Sequence, residues 1–192
     1  MEWLREGDRL FQNDNSASSL SACLGYMPAS LFSVAENYKE AADALAITAA
    51  KGNVILDRAI IPIVFLYRQH LELLVKDIIC TARRIEDEGN NYPQHHNLKN
   101  LWAEAMRLLK KHYGQEAPKE LDYMQPIIDD FHAHDPESIS FRYPTDKKGN
   151  PTQGDYWHID LHNFCGVMNR VDSLLGCIAG DLGQKLDSMS EM

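Results

Sequence analysis

The chain has no apolar run long enough to cross a bilayer. Its longest, Ala59 to Tyr67, falls well short of the roughly 20 residues a spanning helix needs and contains Pro62. The N-terminal stretch MEWLREGDRLF lacks an apolar core, so it does not read as a signal peptide and no membrane partner is expected. Cysteine is sparse, and Cys23, Cys80, Cys165 and Cys177 form neither a C-x-x-C pair nor a zinc-ribbon spacing. Reduced thiols and a cytoplasmic location are the expectation. Positive charge is short as well: a formal net charge of -9 argues against a broad face that coats nucleic acid, while leaving room for a local basic pocket. G-x-x-x-x-G-K-[ST], G-x-G-x-x-G and G-x-S-x-G are missing, so phosphate-loop, dinucleotide and serine-hydrolase chemistry has no footing and no cofactor is expected.

What is present is helical periodicity. Between Asn53 and Glu88, Ile60, Val64, Tyr67, Leu71, Leu74, Ile78 and Ile85 recur at steps of three, four or seven, one face of a long central helix. Pro62 marks either a first turn or a kink, because it has no amide for the ladder. Before it, an Ala-rich helix begins near Ser33, where Ser33 and Glu36 fit a capping box, and stops at Lys51-Gly52. After it, Asn97 can cap a third helix carrying Leu98, Leu101, Trp102, Ala105, Leu108 and Leu109. Pro118 suits the first turn of a fourth, with Pro126 as a bend. The last runs from about Ile159 to Leu182, where Gly166, Gly176 and Gly180 permit tight contacts. The expected architecture is all-α: an up-and-down bundle of four to five helices over 29–182. An extension of short helices over 1–28 precedes it, and a frayed tail over 183–192 follows. A long loop from His132 to His158 precedes the last helix, and its length and aromatics suggest a functional segment pinned to the body.

Three groups of side chains carry candidate chemistry. Arg68, Glu72 and Lys76 stand one helical turn apart; Lys76 reads as part of a solvated ion-pair ladder, while Arg68 and Glu72 adjoin the core and form a fixed fork for a phosphate or a carboxylate. In the loop, Arg142 lies between Phe141 and Tyr143, just ahead of Pro144. It either points toward Arg68 and Glu72, or it caps helix carbonyls or pairs with Asp135 or Asp146. His158 and His162 have the i, i+4 spacing of a shared metal, with His132 or Asp135 to complete it; capping is the ordinary alternative.

Y-R-Q-H-L-E-L-L-V-K-D-I-I (Tyr67 to Ile79), followed by H-N-L-K-N-L-W (His96 to Trp102), resembles the HEPN superfamily of helical bundles. Its members often carry R-x-x-x-E-x-x-x-K on the second helix and H-x-L at the start of the next. The likeness spans about residues 30 to 182. It implies a bundle that is frequently a homodimer and, in active members, metal-independent RNA cleavage in toxin, antitoxin-paired or phage-defence settings. The catalytic signature is an Arg followed after four to six residues by a His, matched here by Arg107 and His112. A second assembly for the same task is Arg68 and Arg142 with His95, His96 or His158. A catalytically silent module for protein partners or oligomerisation, and a His-rich metal bundle, are the competing readings.

Overall fold

The computed structural model describes residues 3–10, 21–25, 29–154 and 157–191. Among these described residues five α-helices follow in order: α1 (Leu31–Ala50), α2 (Leu56–Ile85), α3 (Leu98–Tyr113), α4 (Met124–His134) and α5 (Leu161–Ser190). Among the described residues there is no strand, only an isolated antiparallel bridge between Thr145 and Pro151. α2 is the axis, packing against α1, α3 and α5, while α4 leans on α3. Its 30 residues span roughly 45 Å at about 1.5 Å each. Val64, Tyr67, Leu71, Leu74 and Ile78 are buried as the periodicity requires. Among the described residues no helix is long and apolar enough to cross a membrane.

Local signals explain most helix ends, with some corrections. α1 is capped one turn earlier than expected: Ser30 Oγ accepts from the Ser33 amide and Ser33 Oγ accepts from the Ser30 amide, both at 2.9 Å, so Ser33 is the last residue of the box rather than its first. Glu36 is thereby released from capping. The buried stripe of α1 is Ala35, Ala42, Ala46 and Ala49, small side chains that let its backbone lie close to α2. Asn97 caps α3 as expected, accepting from the Asn100 amide at 3.0 Å. The expected fourth helix from Pro118 is instead a 3-10 helix, Lys119–Tyr123, that runs into α4 at Met124, and Pro126 sits in the first turn of α4, where a missing amide breaks no helical bond. Pro62 falls inside α2 but faces solvent.

The anticipated frayed tail is helical through Ser190. Gly176 and Gly180 have open space where a Cβ would stand, so they do not serve close contacts. The described parts of the N-terminal extension, 3–10 and 21–25, hold no helix, and Trp3, Leu4 and Leu10 are exposed rather than packed on the bundle; 11–20 and 26–28 lie outside the described residues.

One charge in the frame opposes folding. Asp77 on α2 is half-buried, and that burial pushes its carboxyl up, only partly offset by the Phe32 amide that donates to it. The folded chain then holds the proton more tightly than the unfolded one, so ionisation at neutral pH destabilises the fold. Asp77→Asn is expected to raise the melting temperature by a few degrees at pH 7, on a scale of about 2–4 °C per kcal/mol for a chain of this size. The gain should vanish as the pH is lowered through the ordinary carboxylate range, which melts at two pH values will check.

Candidate functional site

The polar row of α2 does not lie on a solvated face. Arg68, Glu72 and Lys76 are 0%, 1% and 4% exposed, which corrects the surface-ladder expectation for Lys76. Arg68 Nη1 donates to Glu72 Oε2 at 2.8 Å, and Lys76 Nζ to Glu72 Oε1 at 2.9 Å. The covering layer comes from two segments distant in sequence. The turn before α3 brings His96, whose Nδ1 lies 2.7 Å from Glu72 Oε1 and whose carbonyl accepts from Arg68 Nη2 at 2.8 Å. From the end of α4 comes Asp135, with Oδ2 3.0 Å from Arg68 Nε. That approach is off the hydrogen-bond direction, so charge rather than a bond joins the two. Two buried cations thus face two buried carboxylates, the balance that burial of such groups requires.

The electrostatics of Glu72 follow from its partners. Burial would push its carboxyl up, but the donors Lys76, Arg68 and His96 outweigh that and hold it below the usual carboxylate range. An ionised Glu72 only accepts, so the His96 Nδ1 carries the proton and, in the neutral ring, Nε2 carries the lone pair. The His96 side chain is 56% exposed. The arrangement is therefore a carboxylate-oriented imidazole at the surface end of a buried ionic network, able to accept or donate one proton.

The long loop is pinned, as expected, with Phe141 buried. What it aims at α2 is Asp135, however, and not Arg142. Asp135 Oδ1 accepts from the amides of Ile139 (2.6 Å) and Ser140 (2.8 Å), which frees Oδ2 for Arg68. Arg142 is exposed, donates from Nε to the Ser138 carbonyl at 2.5 Å and lies over the Tyr143 ring. It braces its own loop on a bend carbonyl, which is neither a helix cap nor a pairing with Asp135 or Asp146, and it does not join the network.

The Arg107 and His112 pair is committed elsewhere. Arg107 donates to Glu88 at 2.7 and 3.3 Å, Lys111 bridges Glu86 and Glu88 at 2.9 Å each, and His112 Nδ1 stands 4.0 Å from Glu86. Hydrogen bonds from Arg107 and Lys111 pull the Glu88 carboxyl down to about 2. This surface cluster ties α3 to the end of α2. Arg107 stands roughly 16 Å along the α3 axis from His96, at about 1.5 Å per residue. The histidine metal set does not assemble either: Asp160 caps α5, so His158 precedes the helix that carries His162, and Asp135 is taken by Arg68. Among the described residues the one cluster of potential metal ligands is Glu36, His70 and Asp172, which no local spacing announced.

The larger described cleft, about 340 Å³, lies away from the network, between α4, the loop and the start of α5. Phe131, Phe141 and Phe164 wall it, and His134 stacks on Trp157 at 4.4 Å. Its ionisable lining is Asp130, Asp160, His134 and His158, with no Lys or Arg. Cavity and convergent ionisable groups therefore disagree in position, and the chemistry follows the latter. Comparison of the chain with protein-family models, curated proteins and solved structures finds no match.

Proposed function

We propose that this chain is an HEPN-like bundle acting on RNA, with His96 as the proton-transfer group and Glu72 as the carboxylate that orients it. One observation carries the reading: the motif residues Arg68, Glu72, Lys76 and His96, apart in sequence, meet in a single network that leaves only the imidazole open to solvent. In the reaction, His96 Nε2 takes the proton of a ribose 2′-OH as the oxygen attacks the adjacent phosphorus. The P–O5′ bond breaks, the leaving 5′-oxygen takes a proton from solvent water, and the products are a 2′,3′-cyclic phosphate and a 5′-hydroxyl; His96 returns its proton to solvent. Arg68 and Lys76 are already held by carboxylates, so this reading assigns the charge on the phosphate to a cation of a second copy of the chain, as the homodimer that the resemblance implies would allow. No cofactor enters, and a toxin or phage-defence setting is the one the resemblance implies.

Incubation of the purified chain with total RNA tests this reading. Cyclic-phosphate ends are expected; His96→Ala should reduce cleavage about a hundredfold, the lower range for losing a general base, while Arg142→Ala and His112→Ala leave it unchanged. No cleavage by the wild type, or full cleavage by His96→Ala, refutes it. A second reading, a silent module for protein partners or oligomerisation, is favoured by a separate observation. Ile47, Val54, Ile55, Leu56 and Ile61 stand exposed around the α1–α2 connection, an apolar group of the kind that marks contact surfaces.

A further inference from the structure

α1, α2 and α5 each send one ligand-type side chain to a common point: Glu36, His70 and Asp172, whose donor atoms all lie within 4.8 Å of one another. This point is on the other side of α2 from the Glu72 network, because His70 is two residues from both Arg68 and Glu72, roughly 200° around the helix. His70 is fully buried. Its Nδ1 lies 3.0 Å from the Ala35 carbonyl, which can only accept, so that nitrogen carries a proton. Nε2 has no hydrogen-bond partner, yet it faces Asp172 Oδ1 at 3.3 Å. In the singly protonated ring, a lone pair is thus turned toward a carboxylate, and something positive belongs between them.

We propose that Glu36, His70 and Asp172 bind one divalent first-row transition ion that cross-braces α1, α2 and α5. The His70 to Asp172 separation is already that of two ligands on a tetrahedral ion, about 3.3 Å for bonds of about 2.0–2.1 Å. Half-buried Glu36 closes the set by a side-chain swing of at most about 1.5 Å, from within 4.8 Å to the same ligand spacing. Donation from the far ring nitrogen to a backbone carbonyl is the support that metal-bound imidazoles ordinarily have. Asp172 is supported too: Lys39 Nζ stands 3.7 Å from its Oδ2, leaving Oδ1 for the ion.

The charges agree. Glu36, Asp43 and Asp172 surround the single cation Lys39, which also bonds Asp43 at 2.8 Å and Asn169 at 3.1 Å. Two negative charges remain unbalanced, which one divalent ion cancels. A His ligand favours zinc, cobalt or iron over magnesium, and three protein ligands leave at least one position for water.

The test is titration of the chelator-stripped full chain with Co²⁺ alone, read by its visible d–d absorption. One ion per chain is expected, not displaced by an equal concentration of Mg²⁺. Glu36→Gln and Asp172→Asn should each weaken binding at least about tenfold, whereas His162→Gln at the α5 start leaves it unchanged. Should His70→Gln fail to fold, the Glu36 and Asp172 variants decide alone. A second ring proton on His70 also satisfies the contact with Asp172, but it gives Glu36 no role. Absence of Co²⁺ binding, binding equal in wild type and Glu36→Gln, or displacement by Mg²⁺ overturns the site.

Discussion

Arg68→Ala should destabilise the fold by about 3 kcal/mol, the lower end for removing one member of a buried ion pair, because Glu72 keeps Lys76 and His96 and Asp135 keeps two amides. Both Glu72 and Asp135 depend on this guanidinium, and neither has appreciable exposure to water. Against a total stability of about 5–15 kcal/mol for a domain, the variant stands near the edge of folding. Urea midpoints of wild type and variant measure the loss. The penalty also has a pH signature. Glu72 titrates below its unfolded value, so its contribution is complete above the ordinary carboxylate range and is lost as the pH falls below it. The gap between Arg68→Ala and wild type should therefore narrow on acidification, as the stranded carboxylates take up protons. A cost below about 1 kcal/mol, typical of exposed pairs, would mean that the network is wet and not buried.

Trp102→Ala is the second large effect, about 3–5 kcal/mol, the usual range when a buried Trp is truncated. The indole is 2% exposed and belongs to the α3 stripe with Leu98, Leu101, Ala105, Leu108 and Leu109. α3 is short and joins the bundle chiefly through that stripe, so the surroundings have little to refill the space with. Its docking also fixes the preceding turn, where His96 reaches Glu72. Loss of Trp102 should thus impair His96-dependent RNA cleavage as well as stability, and paired melts and cleavage assays at a temperature where the variant remains folded separate the two. A melting temperature within a degree or two of wild type would contradict the packing described.

Much of this was readable from residue order because it is local. A 3.6-residue period identified the buried face of α2, and an Asn before an apolar stripe identified the start of α3, since both reflect interactions within a few residues. The same locality explains the misses. A capping box at Ser33 and one at Ser30 differ by three residues, and only the backbone that enters α1 selects between them. His158 and His162 have helical spacing, but Asp160 starts the helix between them.

By itself, the sequence determined the all-α class, the central helix, and the row Arg68, Glu72, Lys76 with His96 to follow. The tertiary structure alone decided that this row is dry, that Asp135 rather than Arg142 closes it, and that Glu36, His70 and Asp172 converge on the other side of α2. Helical periodicity reports which side of a helix avoids water, and a His on that side, such as His70, is the one hint it offers. Which distant side chain meets it depends on the angle and register at which whole helices pack, and these arise from the summed fit of all their side chains rather than from any local pattern.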